Sequence, residues 1–299
     1  MRIIVLGAAA GGGYPQWNDR GPVGARAWAA DPAAPPRTQC ALAVSADGAG
    51  WAILNASPDL RAQILATPAL HPRAAPRHSP IRAVVLTGGE VDQVAGLLNL
   101  RESQPFDLFA TRQVLDALAA NPIFDVLNPA YVTRSALEPG RPAEVVSGLE
   151  ITAFTVPGKV PLYLEDEAPE IGAETGDTIG LEVRANGRAF FFVPGCARIS
   201  DALAARLEGA ELVFFDGTLW TDDEMIRSGS GRKTGTRMGH LPVTGENGSM
   251  AALRRLGIRR LVYIHINNTN PILLAGSPER AAVEAAGFEV ALDGMEVTL

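Results

Sequence analysis

The sequence predicts an α/β fold, and three observations carry that reading. In the last third of the chain, short apolar runs alternate with helical patterns bounded by capping residues and glycines. A similar strand and helix unit lies near residue 81. The apolar runs end on carboxylates and imidazoles, and α/β folds gather their sites at the C-terminal ends of strands.

Taken in order, Met1-Arg-Ile-Ile-Val-Leu-Gly7 reads as a first buried strand. Glycines 7, 11, 12 and 13 follow it, but a dinucleotide fingerprint needs G-x-G-x-x-G opening a helix. Here Tyr14, Pro15, Gln16, Trp17 and Asn18 come next, so the spacing predicts a loop. Ala29 to Pro36 and Pro68 to Pro80 are rich in proline and read as loops, because proline lacks the amide donor and restricts its predecessor. Ile81 to Thr87 is a strand. After Gly88-Gly-Glu-Val-Asp-Gln93, residues Val91, Val94, Leu97, Leu98 and Arg101 fall at helical spacing. Leu212 to Asp216 is a buried strand ending on a carboxylate. Ser249 is placed to cap a helix through Leu253 and Leu256 that stops at Gly257. Arg260 to His265 is a strand ending on a histidine. Ser277, Pro278 and Glu279 open a helix that ends near Gly287, and Phe288 to Leu292 follows as a strand.

The 299 residues are 47% hydrophobic and 20% charged, the balance of a soluble globular protein. No run approaches the length that spans a bilayer, and the first apolar run is too short for a secretory signal. A cytoplasmic location is therefore expected, with Cys40 and Cys196 as reduced, buried thiols. A net charge of −7 argues against a nucleic-acid partner. Arg254, Arg255, Arg259 and Arg260 form the one basic cluster, which a solvated helix C-terminus explains. No phosphate-binding loop or G-x-S-x-G elbow is present.

The polar residues at strand ends are Glu90, Asp92, Gln93, Asp216, His240 and His265. The chain has only 4 histidines, and His71 and His78 lie in the second proline-rich loop. Imidazoles and carboxylates together make a mixed nitrogen and oxygen site suited to zinc, manganese or iron. Two histidines with one carboxylate would form the facial triad that leaves positions open at iron(II). The same residues also admit a structural reading, with a hydrogen-bonded histidine closing a strand and Asp216-Gly217 making a turn.

The run Gly11-Gly-Gly-Tyr-Pro-Gln-Trp-Asn18 resembles the opening signature of the coenzyme PQQ (pyrroloquinoline quinone) biosynthesis protein B family. Further matching segments are Arg37-Thr-Gln39, Asn55-Ala-Ser-Pro-Asp59, Asp216-Gly-Thr218, Met238-Gly-His240, His265-Ile-Asn-Asn-Thr-Asn-Pro271 and Asp293-Gly294. The resemblance thus runs the length of the chain. It implies a metallo-β-lactamase fold, a four-layer αββα sandwich forming one domain over residues 1–299, with a metal cleft between the sheet edges. It also implies a part in PQQ biosynthesis. One role is iron-dependent hydroxylation of the tyrosine ring in the glutamate and tyrosine unit of the precursor. A second is carriage of PQQ or its precursor towards the periplasm. A metal-dependent hydrolase is a third reading, and it usually uses more histidines than are present here.

The sequence departs from the family pattern twice. Three cysteines that hold a structural zinc in the family fall on Asp19, Gly21 and Gly24, so that zinc is expected to be absent. The superfamily motif T-H-x-H-x-D-H falls on Thr87, Gly88, Glu90, Asp92 and Gln93, and the family's usual Asp-His pair is Asp92-Gln93 here. An amide oxygen is a weaker ligand than imidazole. The resemblance leaves Glu90, Asp92, Asp216, His240 and His265 as candidate ligands for iron(II), with Asp92, Asp216, His240 and His265 as the catalytic set. Gln93, Arg101, Lys159, Trp220, Asn267 and Asn268 are candidate contacts for a small anionic, aromatic precursor. Arg101, Lys159 and Trp220 read equally as a helix-end charge, a loop charge and a packed aromatic. Other PQQ biosynthesis proteins are the expected partners.

Overall fold

A computed structural model describes residues 1–166 and 170–299, and in it the apolar runs become strands buried on both faces. The first sheet contains β1 (Arg2–Gly7), β2 (Ala41–Ser45), β3 (Trp51–Leu54), β4 (Ile81–Val85), β5 (Phe106–Ala110) and β6 (Val132–Ala136). The second contains β7 (Pro142–Val146), β8 (Leu149–Thr155), β9 (Ile179–Ala185), β10 (Arg188–Val193), β11 (Val213–Asp216), β12 (Leu261–Ile264) and β13 (Glu289–Val290). A last strand, β14 (Glu296–Thr298), returns to the edge of the first sheet beside β1. Among the described residues each sheet has seven strands, ordered β14-β1-β2-β3-β4-β5-β6 and β13-β12-β11-β10-β9-β8-β7. Strands β3 to β6 run parallel, as do β10 to β13.

Alternate residues of each strand enter different cores. Ile3, Val5, Leu42, Leu54 and Val85 of the first sheet meet Ile151, Leu181, Phe190, Phe192 and Phe214 of the second in a shared interior. Their neighbours Ile4, Ile53 and Val84 pack outward with Leu60, Leu97, Val114 and Leu118. On the far side, Phe191, Val213, Phe215 and Tyr263 pack with Leu203, Leu207, Leu253 and Val283. The result is a four-layer αββα sandwich, as the resemblance implies. Burial of both faces explains why these strands read as unbroken apolar runs rather than as alternating ones.

The local expectations differ from the structure in three places. After β4, only Val91–Val94 is α-helical, and Ala95–Leu100 tightens into a 3-10 helix. Gly96 donates its N–H to Ala56 O at 2.8 Å, and a methyl group there would lie 2.0 Å from Ser57 O. This close approach to the loop after β3 draws the turn in. Ser249 opens the helix Ser249–Leu253 but does not cap it, because Gly248 holds that position and the Ser249 hydroxyl pairs with the Tyr263 hydroxyl at 3.1 Å. The strand expected over 288–292 is reduced to Glu289–Val290, and β14 has no counterpart in the sequence reading. Val297 is its one buried side chain, too little pattern to register. Ser277 does cap the helix Pro278–Ala285, accepting from Arg280 N–H. Gly257 closes its helix in the left-handed conformation at φ 64°.

Cys40 and Cys196 are buried free thiols. Among the described residues no helix is long and apolar enough to cross a membrane.

Candidate metal centre

The C-terminal ends of β4, β11 and β12 meet. Asp216, the last residue of β11, is fully buried, and its carboxylate accepts four hydrogen bonds or ion-pair contacts. Cys196 N–H and His240 Nδ1 reach Oδ2 at 2.9 and 2.7 Å. The Thr218 N–H and hydroxyl reach Oδ1 at 3.0 and 2.5 Å. His265 follows β12 in a left-handed conformation, φ 58°, which costs a non-glycine residue energy and turns its ring off the strand. Its Nδ1 lies 2.8 Å from Thr218 Oγ1, leaving Nε2 to face Asp92 Oδ2 at 3.0 Å. The His240 and His265 rings stack, with centroids 5.1 Å apart. One donor atom from each of Asp216, His240 and His265 lies within 4.8 Å of the other two. Two imidazoles and a carboxylate gathered within that distance fit the donor chemistry of a transition metal, which Asp216, His240 and His265 would hold.

The charges inside this cluster oppose the effect of burial. Burial works against ionisation of Asp92, yet the hydrogen bond from His265 and the charges of His265 and His240 hold its carboxyl below the usual value. Burial also works against a charged His265, and Asp92, backed by Asp216 and Glu90, outweighs it and raises the imidazole. A metal held by His265 would require the coordinating nitrogen without its proton.

The segments that carry the family resemblance build the floor of this site. Asp59 accepts from the Gln39 backbone and side chain, each at 2.9 Å, and Gln39 Oε1 accepts from Gly12 N–H at 3.0 Å. Asp293 holds Ala8 and Thr38, so the glycine loop after β1 is fixed against the end of β12 through Ala10 N–H and Ile266 O. A methyl group on Gly11 would sit 3.6 Å from Asp92 Cγ. Asn270 Nδ2 donates to Gly217 O at 2.9 Å, which wraps the asparagine-rich segment around the Asp216 turn.

A cleft of about 470 Å³ opens above the centre, lined by Glu90, Asp92, Gln93, Lys159, Thr218, His240, His265 and Asn267 among others. Glu90 does not point at the imidazoles. Its carboxylate accepts from Lys159 Nζ at 2.7 Å and from Leu162 N–H, and it forms a capping box with Gln93 over Val91–Val94. Gln93 uses its oxygen on Glu90 N–H at 3.1 Å and its amide on Thr87 at 3.3 Å. Arg101 and Trp220 are not brought to the cleft. The 3-10 turn leaves Arg101 at the surface beside Glu102, while Trp220 packs against the outer core of the second sheet. Asn268 is buried outside the cleft lining. His71 and His78 sit on the loop before β4, far from these groups in their contacts. Thr218, which links Asp216 to both imidazoles, is missing from the sequence-based candidates, although Asp216-Gly-Thr218 marks it.

The positions matched to the family's zinc-binding cysteines do come together. A methyl group on Gly24 would lie 2.6 Å from Asp19 Oδ2, and one on Gly21 would lie 3.3 Å from Asp19 Oδ1. No thiolate stands among them, and Asp19 instead accepts from the Ser230 hydroxyl at 3.1 Å. This donor set does not fit a cysteine zinc knuckle.

Two sheets enclosing a histidine and carboxylate centre at their strand ends define a protein of the metallo-β-lactamase type, and a model of the beta-lactamase superfamily domain matches residues 50–266. The chain is 57% identical to coenzyme PQQ synthesis protein B of Methylobacterium nodulans, over 100% of both chains. It is 58% identical to the protein of that name from Gluconacetobacter diazotrophicus, over 99% of each. A crystal structure of Zn(2+)-bound PqqB from Methylobacterium extorquens matches it with a TM-score of 0.99 at 53% identity, covering 100% of both chains. The chain belongs to the coenzyme PQQ synthesis protein B family.

Proposed function

We propose that this chain, whose family works in PQQ biosynthesis, is an iron(II)-dependent hydroxylase of the tyrosine ring in the glutamate and tyrosine precursor. The observation that carries this reading is the convergence of Asp216, His240 and His265 beneath a substrate-sized cleft. His240, His265 and a carboxylate, Asp216 or Asp92, would hold the metal, which supplies activation of dioxygen when bound. Thr218 fixes the orientation of both rings and of Asp216. Lys159 and Asn267 stand on the cleft wall, where they orient an anionic substrate and the walls limit access of water.

One observation favours a second reading, a carrier that binds PQQ or its precursor without turnover. Gln93, at a position where the family resemblance places a histidine, is spent on capping a helix. Anaerobic reconstitution with iron(II), followed by mass spectrometry of a glutamyl-tyrosine dipeptide incubated with dioxygen and a reductant, separates the two. The hydroxylase reading expects stoichiometric iron and a gain of one oxygen atom, both lost in His265→Ala. No retained metal and no product, with PQQ still bound, would leave the carrier.

A further inference from the structure

We propose that Lys159, Lys233 and Arg237 form a subsite for one carboxylate of a polycarboxylate ligand, and that Glu165 occupies this subsite as a built-in substitute which the ligand displaces. The inference rests on the cleft being the ligand site proposed above, though not on iron or on turnover.

Three cations surround one side chain. Glu165 Oε1 lies 2.9 Å from Lys159 Nζ, and its Oε2 lies 3.0 Å from Arg237 Nη2 and 3.4 Å from Lys233 Nζ. The Glu165 side chain is only 7% exposed, whereas Lys233 and Arg237 are 40% and 37% exposed. Lys159, Lys233 and Glu165 all line the cleft above the metal centre. Gly239 packs on the Lys159 stem, where a methyl group would lie 3.2 Å from Cγ, so the subsite adjoins the loop that carries His240.

A purely structural ion pair would satisfy its members, and this one does not. Arg237 Nη1 is buried without a hydrogen-bond partner among the described residues, so half of the guanidinium fork is unused. Glu165 Oε1 is likewise buried, and Lys159 Nζ at 2.9 Å is its ion-pair partner. Lys159 turns its better contact, 2.7 Å, to Glu90. Three cations thus share two carboxylates, with an arginine donor left over that a second ligand oxygen can take.

Glu165 also sits on a segment that can let go. Leu162, Tyr163 and Leu164 are 58%, 45% and 50% exposed, so they bury little to hold it. The turn is fastened by polar contacts, Tyr163 hydroxyl to Gly89 O at 2.9 Å and Leu162 N–H to Glu90, which water can replace.

The test is calorimetric titration of the full chain, with and without bound zinc, with benzene-1,3,5-tricarboxylate and with its trimethyl ester. The tricarboxylate should bind in both metal states and the ester should not. Glu165→Gln should tighten binding on the order of tenfold by removing the internal competitor, and Arg237→Gln should weaken it by a similar factor. Melting temperatures establish that the variants fold, and Arg237→Lys, which keeps the charge without the fork, should fall between. Unchanged or weaker binding by Glu165→Gln overturns the substitute. Binding that requires zinc and ignores Arg237 places the carboxylate on the metal and overturns the subsite. Oxygen transfer to the dipeptide is read separately, so failure here leaves the hydroxylase standing, and the reverse holds as well.

Discussion

Replacing Glu224 by glutamine should stabilise the fold above neutral pH. Glu224 begins the short helix Glu224–Arg227 and is 6% exposed. Its Oε2 accepts from Trp220 N–H at 2.7 Å and its Oε1 from the Thr269 hydroxyl at 2.5 Å. Burial outweighs these bonds and the nearby Arg227 charge, and pushes the carboxyl from its ordinary 4.5 up to about 7. Between those values the unfolded chain has released the proton and the folded chain still holds it, so stability falls as pH rises and the loss is complete above about 7. The gap corresponds to roughly 3 kcal/mol as an upper bound. A glutamine carbonyl can still accept from Trp220 N–H, and its amide can donate to Thr269 Oγ1 once that hydroxyl turns from donor to acceptor. Urea unfolding at about pH 4 and about pH 8, on either side of the two values, measures the effect. The variant should match the parent at the lower pH and exceed it by about 1–3 kcal/mol at the higher. Parallel pH dependence in the two proteins would refute the argument that Glu224 is buried as a neutral acid.

Thr218→Val removes a hydroxyl that contacts Asp216 and both imidazoles, and should weaken metal affinity about 10–100-fold in a chelator competition; unchanged affinity would reduce Thr218 to a packing role. Gly96→Ala forces a methyl group against Ser57 O and should cost about 3 kcal/mol in denaturant unfolding, whereas a neutral result would mean that the loop after β3 yields freely. Gln93→His gives up the side-chain bond to Glu90 N–H, at a cost of about 1 kcal/mol, but sets an imidazole beside Asp92 and should raise zinc affinity in the same competition. Lower affinity would show that the cap, not the lost ligand, matters most to the centre.

Much of the architecture was legible because both faces of the central strands are covered, which wrote β1, β4, β11 and β12 as apolar runs with polar ends. Ser277 and Gly257 were legible because caps are local chemistry. The 3-10 turn at Ala95–Leu100 was not, since its cause is a backbone contact with a loop about 40 residues earlier in the chain. Asp216 and His265 could be named from their positions at strand ends, whereas that reading misplaced His240, which follows the 3-10 turn Thr236–Met238, and Asp92, which lies inside the helix Val91–Val94. Arg101 and Trp220 could not be excluded from sequence, because a charge or an aromatic ring carries no mark of which way it faces. Lys233, Arg237 and Glu165 escaped notice because their association exists only where two long loops meet over the cleft.

The substitutions at positions 90 and 93 have a joint consequence. A helix starting at Val91 leaves unpaired N–H groups, and Glu90 and Gln93 satisfy two of them reciprocally. Once both side chains are spent in this way, the β4 side of the cleft brings only Asp92 to the imidazoles. Asp216, His240 and His265 all come from the second sheet and its loops, so the donor set is gathered on one side. The remaining charge of Glu90 is turned outward onto Lys159, which is itself bound to Glu165. The edge where the superfamily motif sets histidines therefore joins the ion-pair network of the cleft wall, and through Glu165 that network reaches Lys233 and Arg237 on the segment that leads into His240.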